Sequence, residues 1–312
     1  MPSSTLARAA SHTEKAPERP PRRPHWTRRI GFGTAGPRRG AAELVTGAVM
    51  LAVITAACIM VPMVSPYAVD AFVASPYQPP SPAHPFGTDS FGRDLFVRVF
   101  AGGRIDLLTA VVCVVVPLVC GTIVGILIGM SGRAVDSIAM RLIDGFMAFP
   151  FIILILSLVV ILGTTEGFGP LPPGLPSLFL AVFLVGWAIY ARLARVETLA
   201  LRGSDYILAG RLLGYSTWRL VIRHIAPRVF RTTASYGIAE AVLIIATTAA
   251  LPFLGAGVQP PAPEWGNILY EGRTVLGTAW WMSAFPGLLC VLTGVAISLI
   301  ADAAMSMKRD GR

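Results

Sequence analysis

The sequence predicts an all-α protein that crosses a membrane six times. Composition, charge-free apolar runs and the placement of arginine carry that expectation. Of 312 residues, 54% are hydrophobic and 14% charged, against about 45–50% and about 25% for a soluble domain. The mean hydropathy of +0.66 agrees. Together these values exclude an ordinary soluble enzyme and a disordered or fibrous chain. Only Lys15 and Lys308 accompany 24 arginines.

Residues 1–42 hold six prolines, nine Lys/Arg and two His and too few aliphatic residues to order themselves, so they read as a flexible basic tail. Thr27-Arg28-Arg29 resembles a twin-arginine export signal, but Phe32 falls one place late and five apolar segments follow the first. A basic flank holding the first span's start inside is the better reading.

A bilayer core needs about 20 apolar residues in a helix. Leu44–Val64, Leu107–Gly132, Gly145–Thr165 and Thr274–Ala301 meet that length. Leu175–Ala191 is shorter at 17 residues, and Thr232–Leu254 carries Glu240. Six spans put both termini on one side. With that side cytoplasmic, 22 of 26 Lys/Arg lie inside and four outside, the last being Arg93, Arg98, Arg104 and Arg273. Topology therefore accounts for the basic pI of about 9.9 without any nucleic-acid partner.

Gly121, Gly125 and Gly129 recur every fourth residue of the second span, a spacing that admits a second helix backbone. Cys58, Cys113, Cys120 and Cys290 sit in apolar runs and read as small buried hydrophobes. Cys113 and Cys120 are about 10.5 Å apart along one face, too far for a bridge. Asp144 and Asp302 fall at span ends.

Residues 191–231 form a connection too long and too patterned to be a simple loop. Ser204-Asp205 can start a helix near Tyr206, and Gly214 can end it in a left-handed conformation. Ser216 can cap a second helix, with Trp218, Val221, Ile222 and Ile225 as its apolar stripe and Pro227 as its stop. An interfacial helix pair on anionic lipid and a docking knob for a cytoplasmic partner both fit. The tether between spans argues against a DNA-binding helix-turn-helix.

On the outer side, His84, Asp89, Asp94 and Asp106 accompany Arg93, Arg98 and Arg104. Their spacing matches no metal-ligand or hydrolytic pattern. Gly87-Thr88-Asp89 and Gly92-Arg93-Asp94 read as two tight turns with Asp capping. In the turn-rich stretch Gln259–Asn267, which includes Glu264 and Gly266, Trp265 is suited either to the membrane interface or to contact with a partner. Glu240, about two turns from the cytoplasmic end of its span, is open to a substrate or proton role or to hydrogen bonding within an assembly. No catalytic, cofactor or metal site is expected.

DYILAGRLLGYSTWRLVIRHIAP, from Asp205 to Pro227, resembles the EAA loop of permease subunits in bacterial ABC importers. Ala209-Gly210, Gly214 and His224-Ile225-Ala226-Pro227 match that pattern. Leu208 departs where Glu is frequent, and Arg228 where Asn commonly follows the proline. HPFGTDSFGRDLFVRVFAGGRIDLL from His84, LPFLGAGVQPPAPEWGNILYEGR from Leu251, and FPGLLCVLT in the last span are similar to blocks of the dipeptide/oligopeptide-type permease.

The resemblance implies a MetI-like half-pore in a bacterial inner membrane, paired with a homologous second permease. One or two cytoplasmic ATPases would carry ATP and magnesium, and an extracytoplasmic binding protein would deliver peptides or, by the same mechanism, nickel complexes, haem or glutathione. Asp205, Tyr206, Ala209, Gly210, Arg211, Gly214, Ser216, Arg219, His224 and Pro227 would couple to the ATPase. Gly87, Thr88, Asp89, Gly92, Arg93, Asp94, Glu264, Trp265 and Gly266 would lie on the binding-protein side. The expected domains are the tail over 1–42, a first span with its outer segment over 43–104, and a five-helix core over 105–312.

Two features of the residues agree independently. Lys15 follows Glu14 and Lys308 follows Met307, so no Walker lysine is available and ATP hydrolysis falls to another chain. A secondary transporter would typically show several midplane charges and an inverted repeat; one candidate charge and no repeat are found.

Overall fold

The computed structural model describes residues 37–163, 166, 167, 169 and 171–310, with side chains over 40–306 of that set. The chain runs through α1 (Pro37–Val64), α2 (Leu95–Met130), α3 (Arg133–Met147), α4 (Phe151–Leu162), α5 (Leu175–Arg202) and α6 (Asp205–Leu212). It continues through α7 (Thr217–Leu220), α8 (Ala226–Ala250), α9 (Trp265–Gly272) and α10 (Trp281–Asp310). The tail reading falls outside the described residues over 1–36, whereas residues 37–42 belong to α1.

Five helical runs are long and apolar enough to cross a membrane, and the bent pair α3–α4 makes a sixth if counted as one crossing. The expected straight span Gly145–Thr165 is therefore corrected. α3 and α4 meet at an 84° bend beside Pro150, which disfavours helical backbone at Phe149 before it. α4 is 12 residues long, about 18 Å. The polar side of α3 is tied to α5. Asp136 accepts from Arg195 Nη2 at 2.5 Å and Nε at 2.8 Å, and Asp144 pairs with Arg192.

Those ion pairs also explain the length of α5, which extends to Arg202 rather than ending near Ala191. Its arginines look like loop residues in sequence, yet all three have partners, Arg202 donating to the Gly129 and Ser131 carbonyls at 3.3 Å. The fifth span starts early for a related reason. Helix is continuous from Thr217 to Leu254, so Pro227 does not stop it. A π turn over Val221–Ile225, in which Ala226 N–H donates to Val221 O, leads into α8 with Pro227 in its first turn. There a missing N–H costs little.

The glycines of α2 pack as expected. A Cβ on Gly121 would stand 2.4 Å from Trp187 O, one on Gly125 2.3 Å from Ala191 O, and one on Gly129 2.8 Å from the Thr198 side chain. All three contacts lie on α5. Thr122 Oγ1 donates to Thr233 Oγ1 at 2.9 Å, joining α2 to α8. In α1, Pro62 leaves the Cys58 carbonyl without its helical donor, and Arg104 Nε of α2 supplies one at 2.7 Å. α2 thus connects two ends of the bundle: residues 65–94 and α9 form a cap at its N-terminal end, and α6–α7 form a knob at its C-terminal end.

Candidate functional site

The knob is built from local signals. Ser204 is the N-cap of α6 in backbone geometry, although its hydroxyl donates to Leu201 O at 2.5 Å instead of accepting from the new helix. Asp205 occupies the first turn, where a negative charge is favoured. Gly214 has φ +80°. Its N–H donates to Arg211 O and Tyr215 N–H to Gly210 O, each at 3.0 Å, the paired bonds of a Schellman ending. Ser216 Oγ accepts from Arg219 N–H at 3.3 Å and opens α7. Gly210 permits the close return, since a Cβ there would be 2.8 Å from Leu220 Cδ2.

Beneath the knob, Ile207, Leu220, Val221, Ile225 and Val229 pack with Ile126 of α2 and Ala194 and Leu201 of α5. The expected stripe is therefore divided. Val221 and Ile225 are buried, whereas Trp218 and Ile222 face outward beside Leu213 and Leu212, the last 91% exposed. These four exposed apolar residues complete the site and were absent from the expected coupling set. Asp205, Tyr206, Ala209, Arg211, Gly214, Ser216, Arg219 and Pro227 are also exposed, His224 is half-buried and Gly210 is buried. Arg219 lies 4.7 Å over the Tyr215 ring. An apolar tip rimmed by cations has the character of an interaction surface.

The cap inverts that arrangement by placing charge inside. Asp94 accepts from Val97 N–H at 2.9 Å as the N-cap of α2 and meets His84 Nδ1 at 2.7 Å. Asp89 accepts from Phe91 N–H at 2.8 Å and Arg93 N–H at 2.9 Å. It also pairs with Arg93 Nε at 2.6 Å and Arg98 Nε at 3.2 Å. Arg98 reaches Asp70 at 2.7 Å and the Pro261 carbonyl at 3.1 Å. Thr88 Oγ1 donates to Ser75 O and accepts from Gln78 N–H, both at 2.8 Å.

Gly87 and Gly92 have φ +75° and +74°, and a Cβ on Gly92 would fall 2.0 Å from Ala74 O. Burial pushes the Glu271 carboxyl above its usual range, against the opposing pull of Arg98 and Arg93. Among the described residues no group of three or more His, Cys, Asp or Glu has metal-site geometry.

Gly87, Thr88, Asp89, Gly92, Arg93, Asp94, Glu264, Trp265 and Gly266 are all buried. They form the skeleton of the cap rather than its outer surface. Trp265 is neither an interfacial anchor nor a surface contact: it is 0% exposed. Its Nε1 donates to Val99 O at 2.7 Å and its N–H to Asp106 at 3.0 Å. Sequence favoured a surface position because proline and glycine surround it; the long-range partners on α2 decide otherwise.

Glu240 lies 14 residues before the end of the Thr217–Leu254 run, about 21 Å along the axis. Its side chain is buried beside the Tyr190 hydroxyl, and the Tyr190 and Tyr236 rings are 5.6 Å apart. It therefore points into the chain's own bundle.

A bent-span helical bundle with a charge-filled cap and an apolar-tipped knob defines a polytopic membrane protein. Residues 121–307 match the family described as binding-protein-dependent transport system inner membrane component. A putative peptide transport system permease protein of Brucella suis is 36% identical over 260 residues, covering 82% of this chain and 83% of that protein. The probable D,D-dipeptide transport system permease protein of Escherichia coli K12 is 35% identical over 272 residues, 85% and 86% of the two chains. The glutathione transport system permease protein of Pectobacterium atrosepticum is 37% identical over 223 residues, 72% and 71%. The chain belongs to the binding-protein-dependent transport inner-membrane family, and it is a multi-pass protein of the bacterial plasma membrane.

Proposed function

We propose that this chain is one of two homologous permease subunits in an ATP-driven importer of peptides or similar small solutes. The observation that carries the proposal is the knob: a rigid helix pair whose inner face is anchored on α2 and α5 and whose outer face is apolar. Such a body suits the groove of a cytoplasmic ATPase and transmits its movement to the bundle. The excess of Lys/Arg in the knob and the segments on its side supports a cytoplasmic location, with both termini on that side and the cap outside. ATP and magnesium then belong to the one or two ATPase chains.

The peptide and glutathione permeases among the relatives support a peptide-like cargo; nickel complexes and haem are alternatives under the same mechanism. The outer surface of the cap, supported by its buried ion pairs, receives the binding protein. Glu240 ties α8 to α5 during alternation. Gly214→Val tests the coupling assignment, because a β-branched residue is strained at that positive φ. The expected result is normal insertion with loss of solute uptake and of cargo-stimulated ATPase activity. Unchanged uptake and coupling would refute it.

A further inference from the structure

Asp106 and Glu264 are the carboxyl groups of the cap region that its ion pairs leave unused. They are 1% and 3% exposed, and Asp106 Oδ2 takes the N–H of Trp265, the residue after Glu264, so the two carboxyl groups are close neighbours. Among the described residues, neither takes part in a salt bridge. Cys58 of α1 and Cys290 of α10 lie within electrostatic reach of the pair, and the Ala249 backbone of α8 lies against Gly266. Arg104, two residues before Asp106 on α2, is occupied by the Cys58 and Ile59 carbonyls.

The backbone donors show how the pair is arranged. Glu264 uses both oxygens as acceptors, Oε1 from Gly266 N–H and Oε2 from Asn267 N–H, each at 2.8 Å. That is the pattern of an ionised N-cap carboxylate. Asp106 Oδ2 accepts from Trp265 N–H at 3.0 Å, so Oδ1 is the oxygen that bond does not use. Two buried carboxyl groups held side by side can hydrogen-bond only by keeping a proton between them, whereas two ionised carboxylates in a dry site repel strongly.

We propose that Asp106 and Glu264 share one proton, carried on Asp106 Oδ1, and that this acid–carboxylate pair is the latch seating α9 on α2. Asp106 thereby acts as a positioning residue for the outer cap. Arg98, through its bond to the Pro261 carbonyl, holds the segment just before α9, so the latch fixes the helix itself. Loss of the proton would set two negative charges against each other and loosen α9, which makes the latch tighter at lower pH and weaker as pH rises.

The test uses the assembled transporter in lipid, comparing wild type with Asp106→Asn, Asp106→Leu and Glu264→Gln. Infrared spectroscopy in H2O and D2O is expected to reveal a protonated carboxyl in the wild type that is lost in Asp106→Asn. The Asn amide offers an oxygen to Trp265 N–H and an N–H to Glu264, so uptake stays within about twofold of wild type, whereas Asp106→Leu orphans both partners and lowers uptake by about tenfold or more. Glu264→Gln turns an amide N–H2 toward a backbone N–H and behaves like Asp106→Leu. Absence of the acid band in the wild type, its persistence in Asp106→Asn, or equal damage from Asn and Leu would overturn the latch. The infrared readout is independent of cargo and of ATPase docking, so failure of the latch is distinguishable from failure of the importer assignment.

Discussion

At the cap, Asp89, Arg93, Asp94 and Arg98 lie inside and find their partners within the chain. At the knob, Arg211, Arg219 and Arg223 face outward together with Leu212, Leu213, Trp218 and Ile222. Buried charges are costly unless paired and bonded, so the cap is finished by its own contacts and holds one shape. Exposed apolar side chains gain nothing until another surface covers them, which is why the knob is the surface proposed to dock a partner.

Substitutions break this contrast in a graded way. The largest loss is expected from Arg98→Ala, which takes from Asp89 one of its two guanidinium partners and from Asp70 its nearer one; removing one member of a buried pair costs about 3–5 kcal/mol, to be read as lost thermal stability of the purified complex. Gly125→Leu comes next, driving a side chain into the Ala191 backbone at a cost of about 1–3 kcal/mol, measured the same way.

At the knob the sign of the comparison reverses. Trp218→Ala with Leu213→Ala should leave thermal stability within about 0.5 kcal/mol while weakening ATPase capture by about 2 kcal/mol, roughly thirtyfold.

A pH titration sharpens the cap further. Burial of the Asp106–Glu264 pair, which holds the Glu264 carboxyl above its usual range, lets the folded chain keep on the pair one proton that the unfolded chain has released. Stability conferred by that proton is full below the unfolded pKa and declines as pH rises through the folded one, by at most about 1.4 kcal/mol per pH unit for one proton. Asp106→Asn should flatten the profile. The smallest effect belongs to Ser216→Ala, which removes the single α7 cap bond and costs about 0.5–1 kcal/mol of knob stability, detectable as faster amide exchange at Arg219.

How far each region was legible follows from the range of its contacts. The ending at Gly214 and the cap at Ser216 depend on residues within one or two turns, so sequence placed them correctly. The glycine stripe of α2 was legible because its period is itself the packing requirement. The extension of α5 to Arg202 was hidden because Arg195 is neutralised by Asp136, 59 positions away. The burial of Trp265 was hidden because its indole partner, Val99, is 166 positions away. Pro227 misled because a proline ends a helix interior but is welcome in a first turn, and only the π turn before it decides which applies. The outer face of the knob was half-read: the apolar stripe was found, but which residues α2 and α5 would cover is a tertiary fact.

The central claim is that the exposed tip of the knob is covered by a separate ATPase. A cysteine placed at Leu213 tests it directly, since none of the four native cysteines is exposed. With a short thiol-reactive photocross-linker in intact membranes, the account predicts a dominant adduct between this chain and an ATPase subunit, its yield changing when ATP is bound. Adducts confined to lipid, in cells that continue to take up solute at the normal rate, would contradict it.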